Sequence, residues 1–287
     1  MKKTALILSV TVLSLAAAGF AFDWPQKETA SDSFFSYFGQ LRGGTISSSL
    51  VFKDNSEIKS ADEGKLLGII KEHDNDFGWF ESTLGNAVFV SHENSLVTVY
   101  ANLDGASIAD NLDLQIHSGT YLGNSGNSGW QNGQSCLEFQ VIDVKEQSAV
   151  NPRILMPKVG KELPLTAGTV TLVDSKNNSY NPTSNKFLEA GVYRVYRERQ
   201  ETAVPEKTIL QINGSTVERI DLSELSSVSG KMCIKGNRNY TLEEFYPDSK
   251  KALAGEIQLV HGKTALSITL IDRNNSAKTV TYELTVN

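Results

Sequence analysis

Short runs in which apolar and polar side chains alternate, each cut off by Gly or Asn, constrain this chain more than any other feature. Residues 66–70, 87–91, 97–103 and 136–141 follow the pattern in the first half, and 169–173, 191–197 and 257–260 in the second. A period of two sends successive side chains to opposite faces of a strand, so each run predicts a half-buried β-strand. The chain closes on ALSITLID and KTVTYELTV, joined by the turn-rich RNNSA, which reads as a hairpin. No helical periodicity of comparable length competes. The expected fold class is therefore all-β: an antiparallel sheet domain followed by an immunoglobulin-like β-sandwich. The Cys and Trp hallmarks of a true immunoglobulin domain are missing, so the second assignment is one of architecture. Three prolines in NPRILMPKVGKELP mark the exit of the first unit, giving 41–160 and 165–287 as the two units. VTLVDSKNNS and ITLIDRNNSA echo one another across the second. With 40% hydrophobic and 21% charged residues, the composition is that of a globular protein and not of a disordered one.

Ahead of the first strand, MKKTALILSVTVLSLAAAGFAFDWP has two lysines, an uncharged apolar run and small residues before Asp23 and Pro25. This reads as a secretory signal peptide spanning 1–21, with an uncleaved N-terminal anchor as the rival reading. No cysteine lies in it, which excludes a lipoprotein anchor, and no later stretch is long and apolar enough to span a membrane, so no stable span remains after cleavage. The chain is then exported, to the periplasm or cell envelope or into the medium. Removing Lys2 and Lys3 takes the net charge from −6 to −8, with 25 basic against 33 acidic residues, so no basic footprint for nucleic acid exists. Residues 22–40 form a lead-in whose cluster of Phe34, Phe35, Tyr37 and Phe38 reads as packing, the alternative being a partner-facing patch. Export permits a disulfide, yet Cys136 and Cys233 fall in different units. An interdomain bridge and two buried free thiols both fit, the thiols being the commoner outcome.

Three phrases, in order, carry a resemblance: EIKSADEGKLLGII (57–70), LGNAVFVSHENSLVTVYANL (84–103) and IHSGTYLGNSGNSGWQNGQSCLEFQV (116–141), with Val150-Asn151-Pro152 closing it. Residues 43–152 thus resemble the lysostaphin/LytM family of zinc endopeptidases, which cut peptide crosslinks in bacterial cell walls. In that family zinc is held by a His and an Asp four residues apart and by the second His of His-x-His. The first His of that phrase and the His of Tyr-x-His-Leu assist the reaction. Three protein ligands and an open position lower the pKa of bound water and polarise the scissile carbonyl. Here the resemblance places Ser47 and Val51 at the His and Asp, Asn102 at the His of Tyr-x-His-Leu, and Cys136 and Glu138 at the two histidines of His-x-His.

The resemblance therefore implies a degenerate member, a pseudo-metalloendopeptidase holding no zinc. Degenerate LytM proteins act as a group as activators of cell-wall amidases or as scaffolds, so the implied partner is peptidoglycan or a cell-wall hydrolase such as an amidase. The groove would be walled by the loop 123–134, with Trp130 and Asn132, and by Tyr100 and Asn102, above Cys136 and Glu138. The alternative is an active cell-wall metalloendopeptidase with a non-standard zinc site. Cys136 and Glu138 share a strand face and both ligate zinc, but the third ligand would have to be His92 or His117. Cys136 as a thiol nucleophile lacks a neighbouring His, and Glu138 beside it would raise its pKa. GNSGNSG has neither the Lys nor the following helix of a phosphate cradle. His73 and His261 read as solvated turn residues. In the second unit YRVYRERQ (193–200) offers Arg194, Arg197 and Arg199 beside two tyrosines, as an ordinary amphipathic strand or as a surface for anionic wall polymers. Removal of 165–287 is expected to leave the first unit folded.

Overall fold

The computed structural model describes residues 22–27, 29–71, 82–109, 111–129 and 133–287. Residues 1–21, where a leader is expected, and His73, Trp130 and Asn132 lie outside the described residues. The alternating runs fold as strands throughout, and the α-helices among the described residues are the single turns Pro152–Leu155 and Leu242–Phe245. No helix among them is long and apolar enough to cross a membrane.

In the first unit the strands Gly64–Ile70, Asn86–Ser91, Leu96–Leu103 and Glu138–Asp143 lie side by side and antiparallel, and Ser49–Phe52 adds to the start of Glu138–Asp143. Their inward side chains, Leu50, Phe52, Val88, Tyr100 and Phe139, are buried together with the lead-in residues Phe22, Phe34, Tyr37 and Phe38. Phe34 pairs with Phe52 across strands, their rings 4.9 Å apart. The aromatic lead-in is thus part of the core. Phe35 is the member of the cluster that points outward, at 49% exposure.

The second unit faces two sheets across a buried layer. Strands Thr171–Asp174, Gly191–Glu198 and Lys251–Leu259 supply Leu172, Tyr193, Val195 and Ile257 from one side. Lys207–Ile212, Gly262–Ile271 and Ala277–Val286 supply Leu210, Leu266, Ile268, Leu270 and Leu284 from the other. The two echoing phrases form equivalent hairpin turns. Asp174 Oδ1 accepts the amides of Lys176 and Asn178, Asp272 Oδ1 accepts those of Asn274 and Ser276, and Asn177 and Asn275 both take the left-handed conformation at φ 64. Asp and Asn suit this because a carboxylate organises the turn amides and Asn tolerates positive φ.

The units are not separate bodies strung on a linker. Ser148–Val150 pairs on one edge with Glu138–Asp143 and on the other with the long strand Ser215–Val228, so one sheet of fifteen described strands runs through both. The first core also crosses the boundary, taking in Tyr196, Ile220, Leu222, Leu225, Tyr240 and Phe245. The proline-rich stretch is pinned as well: Asn151 caps the helical turn, Arg153 holds Glu162 with two contacts of 2.6 and 2.7 Å, and Arg273 donates to the Arg153 carbonyl. Both cysteines are buried free thiols, so of the two readings the disulfide is the one that falls.

Candidate functional site

Strand pairing brings together two of the positions that the resemblance singled out, Val51 and Glu138, on the first sheet. Val51 lies opposite Glu138, Glu138 opposite Ala101, and Ser49 opposite Gln140. Glu138 is 8% exposed. Its Oε1 accepts from the Ser49 hydroxyl at 2.7 Å and from the Gln140 amide at 3.2 Å, with Arg42 Nη1 at 3.5 Å. A buried carboxylate engaged by two donors and a guanidinium is satisfied without a metal. Ser47 donates to the Ser49 carbonyl at 3.1 Å, and the Val51 side chain offers no donor atom.

Asn102 ties the loop to the sheet. It sits at φ 62, a conformation Asn adopts more readily than most residues. Its Nδ2 donates to the carbonyls of Cys136 at 2.6 Å and Gly126 at 2.8 Å, and its Oδ1 accepts the Gly129 amide at 2.7 Å. Two N–H donors and one acceptor on a single planar group is what the amide has and an imidazole lacks. Close approach explains the loop's glycines: a Cβ at Gly126 would stand 2.3 Å from the Asp104 nitrogen. GNSGNSG is accordingly a tightly packed wall; Ser125 and Gly126 form bridges to Leu103 and Cys136. Cys136 is fully buried, its thiol pushed up by burial, with Sγ 3.5 Å from the Gln134 carbonyl. Burial thus favours the protonated thiol over the nucleophilic thiolate.

Tyr100 is not a groove residue. Strand alternation turns it inward, where it is wholly buried, its ring 5.2 Å from that of Phe139 and its hydroxyl accepting the Ala61 amide at 2.7 Å. His92 is equally committed. Nδ1 is 2.7 Å from the Glu63 carbonyl and Nε2 2.7 Å from the Thr98 hydroxyl. A carbonyl only accepts, so Nδ1 carries the proton and Nε2 receives the hydroxyl's. Burial holds its pKa below the ordinary value. His117 and His261 are exposed turn residues. Among the described residues no group of three or more His, Cys, Asp or Glu is placed to hold a metal ion.

Over Val51 and Cys136 opens a cleft of about 440 Å³, walled by Phe35, Leu41 and Arg42 on one side and Gln134 on another, with Arg199 and Glu201 of the second unit at its rim. The Gln40 amide closes the seam by donating to the Glu201 carbonyl at 2.6 Å. Sequence reasoning missed Arg42 and Glu201, and it weighed Phe35 as part of a partner-facing patch and Arg199 as part of a polymer surface without joining either to this cleft. The one local signal was Gly43-Gly44, which marks the turn of the Leu41–Arg42/Thr45–Ile46 hairpin that carries Arg42 to the cleft. A second, polar cleft of about 500 Å³ lies between Asn55, Asn86, Asp104 and the loop 124–128.

Comparison with known proteins finds matches to both units. The family model for Peptidase family M23 matches 48–152, and a second family model matches 164–287. An uncharacterised protein of Treponema pallidum (strain Nichols) is 29% identical over 137 residues, 44% of this chain and 90% of that one. Among solved structures, the catalytic domain of the prophage-encoded protein EnpA from Enterococcus faecalis is 17% identical, covering 47% of this chain and 95% of its own, with a TM-score of 0.36. The catalytic domain of lysostaphin from Staphylococcus simulans is 17% identical over 42% of this chain and 86% of its own, with a TM-score of 0.32.

Proposed function

We propose that this chain, whose residues 48–152 match the model for Peptidase family M23, is an exported binding or regulatory module of the cell envelope, one that holds peptidoglycan or a cell-wall hydrolase such as an amidase and does not cut. The observation that carries the reading is the state of Asn102. At the position where the family has a catalytic histidine, its amide is wholly spent on stapling the loop 126–136 to the sheet.

The donor set does not fit zinc. Val51 offers no ligand atom, the Cys136 thiol is buried and held protonated, and the Glu138 carboxylate already faces Ser49, Gln140 and Arg42. A zinc ligand set needs a deprotonated thiol and a third protein donor. No hydrolytic step is therefore derived from these residues. Export rests on the leader-like residues 1–21.

The test is co-sedimentation of residues 22–287 with purified peptidoglycan sacculi, and capture of amidases on the same protein, beside an assay for release of soluble fragments. Binding to sacculi or to an amidase without release is the expected result. Release of fragments, abolished by a chelator, would overturn the reading in favour of an active endopeptidase with a non-standard site.

A further inference from the structure

The loop phrase GNSGNSG and Asn55-Ser56 meet in the polar cleft of about 500 Å³, which shares no lining residue with the cleft over Val51 and Cys136. Its volume lies in the range of ligand sites, about 300–1,000 Å³. Asparagine and serine side chains make up most of the wall. Among the described residues that line it, Asp104 is the one charged group and Leu103 the one large apolar residue.

Hydrogen bonds within the wall decide which ends of these groups remain for a ligand. The Ser125 hydroxyl accepts the Ser56 amide at 2.8 Å and donates to Asn55 Oδ1 at 2.6 Å. The Tyr121 hydroxyl donates to Asn124 Oδ1 at 3.2 Å. Both amide oxygens are thus occupied, and neither Nδ2 has a partner among the described residues. Asp104 Oδ1 accepts the Ala106 amide at 3.2 Å, which leaves Oδ2 without one there. Tyr121 is 37% exposed, so an aromatic surface adjoins Asn124.

Free ends of this kind select by chemistry. The N–H groups repel a metal ion and the Asp104 carboxylate repels an anion. Leu103 is wholly buried and offers no floor for a lipid or a large apolar side chain. The ligand must accept from amides, donate to a carboxylate and carry no charge. A hydroxyl does both at one oxygen, and a sugar ring carries several side by side. We propose that this cleft binds a neutral saccharide, Asp104 Oδ2 accepting from one ring hydroxyl and the Asn55 and Asn124 amides donating to its neighbours. The inference goes beyond the binding-module reading and does not depend on what the other cleft holds.

The test is an NMR titration of isotope-labelled residues 22–287, following the side-chain amides of Asn55 and Asn124. The probes are two neutral sugars, chitotetraose and maltotetraose, the anionic tetragalacturonate, and N-acetyl-tetraalanine amide as a neutral peptide. At least one neutral sugar is expected to shift both amides saturably, and to bind more tightly than the anion or the peptide. Asp104→Ala should weaken that sugar about ten-fold, the loss of a hydrogen bond to a charged group, and Asn55→Ala about three-fold. Arg194→Met, in the second unit, should leave it unchanged. Asp104 and Asn55 are both exposed, and each variant's backbone amide dispersion checks its fold. The saccharide assignment is overturned if neither neutral sugar moves the amides, if tetragalacturonate or the peptide binds at least as tightly, or if either folded variant keeps full affinity.

Discussion

At the scale of single residues, several of the side chains that the resemblance singled out hold the fold. Asn102 is the clearest. Replacing it with Ala strands three buried backbone groups and puts a less tolerant residue at φ 62, so Asn102→Ala is expected to cost about 2–4 kcal/mol in denaturant unfolding, with loss of amide protection across 126–136. Unchanged stability would contradict the staple. Cys136 and Cys233 are both buried and have thiols pushed up by burial. Both should therefore resist a disulfide reagent at neutral pH in the native protein and react fully once denatured. Rapid native labelling of Cys136 would revive the nucleophile it was weighed as. His92 supplies a pH dependence. Its folded pKa lies below the unfolded value of about 6.5, so the unfolded chain takes up a proton first as pH falls. Its contribution is fully present above that value and is lost as pH drops toward the folded pKa. Thermal melts should show the decline below about pH 6.5, and His92→Gln should flatten it.

Among elements, the three-residue strand Ser148–Val150 has an importance its length hides. It sits between Glu138–Asp143 and Ser215–Val228, paired on both edges. Proline at Ala149 removes a ladder donor from a strand with no free edge, at a cost of about 3 kcal/mol or more. Calorimetry of Ala149→Pro should show the unfolding transition lowered and split in two; a single transition at the wild-type temperature would mean the junction is dispensable. Legibility in the sequence differed from strand to strand for physical reasons. Gly64–Ile70 alternates because one face is open to solvent, whereas Leu96–Leu103 is buried throughout, with Tyr100 in the main core and Val99 and Ala101 in a small cluster with Ala87. Ser215–Val228 escaped because Glu218 occupies an inward position where a strand pattern calls for an apolar residue. The structure satisfies that carboxylate with the Tyr240 hydroxyl and the amides of Arg219 and Asn237. The register shift at Val195/Tyr196, which leaves Ala254 of the partner strand without an opposite residue, likewise has no signature in YRVYRERQ.

Across the whole molecule, the residues the family resemblance singled out include Val51 and Cys136, which line one cleft, and Glu138, which pairs opposite Val51. The cleft's outer walls were out of reach, since Phe35, Arg42 and Arg199 meet only through packing between the lead-in and the second unit. The same packing changes the expectation for truncation. Deleting 165–287 takes Tyr196, Ile220, Leu222, Leu225, Tyr240 and Phe245 out of the first core and the Tyr246 hydroxyl from the Gly39 carbonyl. The remaining residues 22–164 are now expected to be insoluble or molten, judged by amide dispersion in an NMR spectrum, where a dispersed spectrum would restore two independent domains.

The central claim, a peptidase-type domain that binds without a metal, is tested most directly by zinc stoichiometry. Residues 22–287 would be equilibrated with zinc, desalted and analysed by elemental mass spectrometry. The account predicts near-zero metal per chain, unchanged in Glu138→Ala. One tightly held equivalent, lost on replacing Glu138, would contradict it and make crosslinked peptidoglycan the next substrate to try.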